Sequence, residues 1–181
     1  MPPQRRVNRG PSAAAGNRAA LITAARQVFA ETGFHAPFSL IARTAGVGQG
    51  SLYRHFPDRQ SLALAVFENN IESLESFAAA PEVTLDAILT EVIAQLPSAI
   101  TIVAALDHTA TDPHLSALAD RLRHLLATKL EPARPTWRPD LTPDDLMLAL
   151  AMLASLLSNT EPAARPARTT AAWTLLRQGL Q

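Results

Sequence analysis

Residues 38 to 62 constrain the fold of this chain most, because they carry the pattern of two short helices joined by a tight turn. Apolar residues at helical spacing mark the inner faces, namely Ile41, Ala42 and Ala45 in the first helix and Leu52 and Phe56 in the second. Between them, Gly46 can adopt a left-handed backbone without a Cβ penalty, as such a corner requires. The segment therefore predicts a helix-turn-helix.

The outward face of the second helix carries residues that are small or can form hydrogen bonds, and none is acidic. These residues are Gln49, Gly50, Ser51, Tyr53, Arg54 and His55. Because nucleic acid is a polyanion, a surface without acidic groups can approach it closely. The pattern predicts that this helix enters a DNA groove.

The same segment resembles the DNA-binding domain of the TetR family of bacterial regulators. The similarity covers about residues 18 to 62 and is carried by the runs IARTAGV at 41–47 and GSLYRHFP at 50–57, with AA at 24–25, VF at 28–29 and Gly33. Two positions depart from the family pattern. Pro37 replaces a frequent Thr and Gly48 a common Ser, so both helix starts lose a side chain that caps the helix or contacts phosphate.

The resemblance places base readout in the second, or recognition, helix. Gln49 can pair bidentately with adenine, Ser51 can bind several bases, and Arg54 can address guanine or a phosphate. The resemblance also implies phosphate contacts for Tyr53, His55 and Arg59. Arg43, on the outer face of the preceding helix, is a further phosphate candidate. Arg59 stands where the family commonly has Lys.

Composition argues against several classes of protein. The 181 residues include no cysteine, which excludes disulfides, thiolate catalysis and cysteine-ligated metals. The sequence lacks a phosphate-binding Gly-rich loop, a nucleophile elbow and an HExxH pair, so we predict neither an enzyme nor a cofactor. The acidic and histidine residues Asp107, His108, Asp112 and His114 have no recognised ligand spacing, so we also predict no metal site.

Charge is unevenly distributed along the chain, although the net charge is zero. Residues 1–61 contain eight Arg against two acidic residues, a net charge of +6, whereas residues 62–181 carry −6. This asymmetry favours nucleic-acid binding by the first part. Residues 1–16 form a predicted flexible basic arm, in which Arg5, Arg6 and Arg9 either reach the minor groove and phosphates or belong to a solvated tail.

No run alternates polar and apolar residues, so we predict an all-α fold. A first helix begins between residues 13 and 18 and ends near Thr32. Later helices are predicted at about 58–79, capped by Asp58, at 84–95, 98–109 and 113–130, from Pro143, and from Arg165 to about 178. The predicted domains are a helix-turn-helix DNA-binding domain at 17–62 and a helical ligand-binding and dimerisation domain at 63–181.

Residues 146 to 157 are apolar almost all round, which predicts a helix buried on every side. Its own domain is expected to cover about half of it and a second subunit the rest, in a four-helix bundle across a twofold axis. The TetR resemblance implies this homodimer too. The predicted interface residues are Leu146, Leu150, Leu153, Leu157, Trp173 and Leu176. The alternative is a monomer with one central helix.

The resemblance further implies a pocket for a small-molecule effector in the helical body. Its predicted walls are Val92, Leu96, Val103, Leu106, Leu122, Leu125 and Met147, with Ile88, Ile102 and Leu118 as further candidates. Polar residues that could orient a ligand are Gln95, Asp107, His108, His114, His124 and Trp137. The alternative is that these apolar side chains form an ordinary core.

Together these features predict a homodimeric transcriptional regulator, a repressor that a small molecule releases from a palindromic operator in double-stranded DNA. Two alternatives stay open: a DNA-binding regulator without a small-molecule ligand, and a helical small-molecule-binding protein or enzyme that does not bind DNA. There is no signal-peptide pattern. The longest charge-free apolar run is shorter than the roughly 20 residues that span a bilayer, so we expect a cytoplasmic protein with no membrane partner.

Overall fold

The computed structural model describes residues 11–103 and 113–181, with side chains at 13–100 and 113–181. The helices are α1 (Pro11–Thr32), α2 (Phe38–Thr44), α3 (Gln49–His55), α4 (Arg59–Ala78), α5 (Leu85–Val103), α6 (Pro113–Ala133), α7 (Pro143–Ser158) and α8 (Arg165–Leu180). Short 3-10 turns occupy Arg134–Thr136 and Pro162–Ala164. No strand occurs in the described ranges, and the predicted all-α fold is confirmed.

The first compact unit ends at Val66 and contains α1, α2, α3 and the first turns of α4. Its core is built from residues that are almost fully buried, which are Leu21, Ala25, Phe29, Ile41, Leu52, Phe56, Leu62 and Val66. Two glycines have a positive φ, Gly33 at 91° after α1 and Gly46 at 65° after α2. Both were predicted from sequence as a helix end and a corner, and both are confirmed.

Two predicted helix starts are confirmed by their capping hydrogen bonds. The Asp58 carboxylate accepts from the Ser61 backbone N–H at 2.7 Å, directly before α4. Thr142 and Asp145 form a capping box before α7, in which the Asp145 carboxylate accepts from the Thr142 N–H at 2.9 Å. The Thr142 hydroxyl also donates to the Asp145 carboxylate at 2.6 Å. This bond and the one from the Thr142 N–H lower the pKa of Asp145 below its ordinary value, because both favour the charged carboxylate.

Two predicted boundaries are wrong. Helix α1 begins at Pro11, so residues 11–16 are helical and do not belong to a flexible arm; proline suits a first helical turn, and the alanines after it favour helix. Helix α5 is continuous through Pro97, where the sequence predicted a break. Ile93, Leu96 and Ile100 are buried around Pro97, and we attribute the continuity to their packing, which offsets the lost backbone hydrogen bond.

The second compact unit begins at Phe67 and is organised around α7, which packs against α5, α6 and α8. Its fully buried large side chains include Leu85, Ile88, Leu89, Leu126, Leu130 and Leu141. At its edge, the Arg177 guanidinium lies 5.9 Å from the centre of the buried Trp137 ring and pairs with Asp86 at 2.7 Å. This contact joins α8 to α5.

Several predicted residues fall outside the described part of the chain, which are Arg5, Arg6, Arg9, Leu106, Asp107, His108, Asp112 and the side chains of Ile102 and Val103. In the part that is described, no helix has both the length and the apolar character needed to cross a membrane. In the same ranges, no three histidine or acidic side chains are grouped to hold a metal.

Candidate functional site

Helix α3 is held by two side chains on its inner face. Leu52 and Phe56 are buried, and the Arg18 guanidinium lies 5.6 Å from the centre of the Phe56 ring. The corner before α3 is closed by the Val47 N–H, which donates to the Ala42 carbonyl at 2.9 Å. The outward face of α3 is therefore presented on a firmly packed base.

The predicted outward residues of α3 are accessible. Gln49, Gly50, Tyr53 and Arg54 are exposed, and Ser51 and His55 are half-buried. Arg43 is also exposed, on the last turn of α2. A methyl group added at Gly50 would meet no other described part of the chain within 4 Å beyond its own helix, so a ligand can approach this backbone closely.

Both helix starts lack a side-chain cap. Pro37 precedes α2 and Gly48 precedes α3, each with an extended backbone, and neither position provides a side-chain capping hydrogen bond. This agrees with the two departures from the family pattern seen in the sequence.

Arg59 has partners that the sequence did not reveal. Its Nη1 donates to the Phe34 carbonyl at 2.6 Å and to the Ala36 carbonyl at 2.5 Å. Its guanidinium lies 4.9 Å from the centre of the Phe38 ring and 5.6 Å from that of Phe34. Burial lowers the pKa of Arg59 from its ordinary value, and the neighbouring Tyr53 opposes this effect.

These contacts place Arg59 between the α1–α2 loop and the recognition helix. Phe38 touches Arg59 on one side and Tyr53 on the other, where the two ring centres are 5.6 Å apart. The phosphate contact predicted for Arg59 stays a prediction, and the contacts seen here give Arg59 a positioning role within the domain. It satisfies two loop carbonyls and supports Phe38, against which the exposed Tyr53 rests.

The first turns of α1 lie beside α3, which the sequence did not predict. A groove of about 570 Å³ is lined by Ala13, Ala14, Gly16 and Asn17 from α1 and by Ser51, Arg54 and His55 from α3. The alanine-rich start of α1 was assigned to an arm, so its place beside the recognition helix could not be foreseen. The groove brings Asn17 next to the predicted base-reading side chains.

Comparison with known proteins supports the same assignment for this segment. A family model described as bacterial regulatory proteins, tetR family, matches residues 21–66. The HTH-type transcriptional activator FasR of Mycolicibacterium smegmatis is 40% identical over 60 residues. That alignment covers 33% of this chain and 27% of the length of FasR.

Two crystal structures are similar over nearly the whole chain. A TetR transcriptional regulator from Streptomyces coelicolor is 28% identical, with a TM-score of 0.68 over 91% of this chain and 98% of that one. A TetR transcription regulatory protein from Mycobacterium vanbaalenii is 26% identical, with a TM-score of 0.65 over 94% of this chain and 98% of that one. The family match at residues 21–66 identifies the helix-turn-helix unit as a tetR-family domain, and the whole chain is similar to these two TetR regulators.

The second unit contains a cavity of about 570 Å³. Of the predicted pocket walls, Val92, Leu96, Leu122 and Met147 line it, together with Phe67, Ala99, Ile100, Leu150, Ala151, Ala154, Ser155 and Ser158. The predicted wall residue Leu125 is buried in the core and does not line the cavity, as is true of Ile88 and Leu118. The polar candidates Gln95, His114, His124 and Trp137 do not line it either.

The predicted dimer-interface residues mostly lie in the core of the protomer. Leu146, Leu150, Leu153 and Leu157 are all buried, so assigning them to a subunit interface was wrong. Trp173 and Leu176 are half-buried against the same core. Helix α7 presents these four leucines on its inner side, at spacings of three and four residues.

The opposite side of α7, together with α8, carries an exposed apolar stripe. Leu148, Met152 and Leu175 are exposed by 59%, 53% and 70%, and all three line a shallow groove between the two helices. Arg138 and Asp145 stand at the edge of this groove. Large exposed apolar side chains that cluster in this way are typical of an interaction surface.

Proposed function

We propose that this TetR-family protein is a homodimeric, sequence-specific DNA-binding transcriptional regulator, a repressor that a small molecule releases from a palindromic operator. Residues 17–62 would bind DNA, and residues 63–181 would dimerise and bind the effector. The observation that supports this proposal best is the exposed, non-acidic face of α3. This face is held by the buried side chains of Leu52 and Phe56, in a domain that matches the family model.

In the proposed complex, α3 lies in the major groove. Gln49, Ser51 and Arg54 address base edges, since amide, hydroxyl and guanidinium groups match the pattern of donors and acceptors there. Contacts to phosphate come from the remaining exposed polar groups on and before α3, which are Arg43, Tyr53 and His55. Gly50 allows the DNA backbone to come close.

The proposed partner across the exposed stripe is a second copy of this chain. Two recognition helices related by a twofold axis can read two half-sites of a palindrome, which lie about 34–36 Å apart in successive major grooves. Leu148, Met152 and Leu175 supply the apolar centre of a self-complementary contact between α7–α8 pairs. This role replaces the one that the sequence assigned to the buried leucines.

The cavity supports the proposed control by a small molecule. A ligand that binds one conformation of the dimer better than another shifts the population toward it, by no more than its difference in affinity. If the favoured conformation separates the recognition helices differently from operator half-sites, DNA affinity falls.

Selection of duplexes from random DNA by the purified protein tests the proposal. We expect sequencing of the bound pool to return a palindrome whose half-site centres are about 10 base pairs, or a multiple of one helical turn, apart. A pool with no enriched sequence would contradict the proposed function. A reporter gene behind the selected site then separates repression from activation.

Arg59→Gln provides a test of the positioning role. The variant leaves the Phe34 and Ala36 carbonyls without their donor, which we expect to cost about 1–3 kcal/mol of stability and to weaken binding to the selected duplex. Because no phosphate contact is lost, the slope of log affinity against log salt should stay unchanged. Thermal unfolding and binding titrations at several salt concentrations measure both effects.

Arg43→Gln is the matched control, since it removes the same charge from an exposed site. It should reduce the salt slope by about one for each lost phosphate contact and leave thermal stability as in the wild type. If Arg59→Gln instead lowered the slope and kept stability, Arg59 would be a phosphate contact.

A further inference from the structure

The cavity in the second unit has walls of one chemical kind. Ten of its twelve lining side chains are hydrocarbon, aromatic or thioether groups: Phe67, Val92, Leu96, Ala99, Ile100, Leu122, Met147, Leu150, Ala151 and Ala154. Among the described residues, no titratable side chain lines it. Its volume of about 570 Å³ is in the range of sites that bury small organic ligands.

The polar part of the lining is confined to two hydroxyl groups. Ser155 and Ser158 stand three residues apart on α7, so they lie on the same side of the helix, and both are partly open to solvent. The Ser158 hydroxyl donates to the Ala154 carbonyl at 2.9 Å, which leaves its oxygen lone pairs available. This edge can therefore exchange one or two neutral hydrogen bonds with a ligand.

The two arginines that flank the wall residue Leu122 in sequence are engaged in ion pairs. Arg121 forms a bidentate pair with Glu75, and Arg123 pairs with Asp120 and Asp144. A carboxylate or ammonium group placed among the apolar walls, away from the serine edge, would be desolvated there without a counter-ion from the described lining residues, which is strongly unfavourable. An apolar body with a neutral hydroxyl, carbonyl or ester avoids this cost and gains from burial.

We propose that the effector of this protein is an uncharged, predominantly apolar small molecule whose polar group lies beside Ser155 and Ser158. The inference rests on the proposed function, because it specifies the chemistry of the ligand that would release DNA. The cavity is expected to select against carboxylates, phosphates and amines that are ionised at neutral pH.

Calorimetric titration of the full chain, without DNA, with decanol, decanoate and decylammonium tests the chemical class. The three probes share one chain length and differ in the charge of the head group. We expect decanol to bind saturably at one site per protomer and each ion at least tenfold more weakly. Equal or tighter binding of either ion, or no binding of decanol, would overturn the inference.

Ala154→Phe tests the location, because it fills the cavity from α7. It should weaken decanol binding more than tenfold, as should Ala99→Phe from α5, which serves if the first variant fails to fold. Ala163→Phe, at an exposed position in the turn before α8, is the matched control and should bind decanol like the wild type. Full binding by a folded cavity-filling variant would place the ligand elsewhere and contradict the inference.

Ser155→Ala tests the polar edge of the cavity. It should weaken the binding of decanol about three- to tenfold, the range for the loss of one neutral hydrogen bond. Addition of decanol to the complex with the selected duplex then separates this inference from the proposed function. If decanol bound but did not release the DNA, the proposed ligand class would be supported and the proposed control of DNA binding by a small molecule would be wrong. If an ionic probe bound better than decanol and the affinity for DNA were normal, only the proposed ligand class would be wrong.

Discussion

Leu148→Glu combined with Leu175→Glu should convert the protein to a monomer and reduce its affinity for a palindromic operator by about a hundredfold or more. The loss is large because the second recognition helix no longer binds at the high effective concentration that dimerisation provides. Both leucines are exposed in the protomer, so a carboxylate at these positions does not disturb its core. Sedimentation velocity and binding titrations with the selected duplex measure the two effects.

Ala163→Glu is the control for this experiment, since it adds a carboxylate at an exposed position away from the stripe. Leu150→Ala provides the opposite contrast. Because Leu150 is buried inside the protomer, its truncation should lower stability by about 2–5 kcal/mol. A double-Glu variant that stayed dimeric with wild-type affinity would show that the subunits meet at another surface.

Tyr53→Phe combined with Arg54→Gln should weaken operator binding by at least tenfold, and toward a hundredfold if both protomers lose both contacts. Phenylalanine keeps the ring that packs against Phe38, and glutamine keeps part of the Arg54 side chain, so the fold should be preserved. The measurement is a binding titration, with thermal unfolding to verify stability.

Arg168→Gln is the matched control for the lost charge, because Arg168 is exposed on α8 outside the proposed DNA surface. It should bind the operator within about twofold of the wild type, as expected for a remote surface charge. If the Tyr53/Arg54 variant bound the operator with wild-type affinity, α3 would not be the DNA-reading element.

The helix-turn-helix could be predicted because its determinants are local. Gly46 must turn left-handed, and Leu52 and Phe56 must point to the same side, whatever the rest of the chain does. The capping box of Thr142 and Asp145 is local in the same sense. Where a few neighbouring residues decide the backbone, sequence alone predicted the structure.

Non-local packing decided the features that were missed. Nothing near Arg59 in sequence shows that the carbonyls of Phe34 and Ala36 approach its guanidinium. The start of α1 is ambiguous in sequence, because proline and glycine flank its alanines. Pro97 remains within a helix whose flanking residues are buried by other helices, which a local rule cannot anticipate.

Helix α7 illustrates why the position of the exposed stripe could not be predicted. Its leucines and two methionines occur on every side, so the sequence gives no contrast between a face for the protomer core and a face for a partner. The packing of α5, α6 and α8 selects the side with Leu146, Leu150, Leu153 and Leu157, and the stripe with Leu148 and Met152 remains exposed.

The central claim is that the α3 surface binds duplex DNA, and its most direct measurement is the affinity of the wild-type chain for the selected duplex as a function of salt. We expect log affinity to fall linearly with log salt, with a slope of about −4 or steeper if the dimer neutralises four or more phosphates. We also expect the selected duplex to bind far more tightly than a scrambled one. Affinity that did not change with salt, or that was equal for both duplexes, would contradict the account.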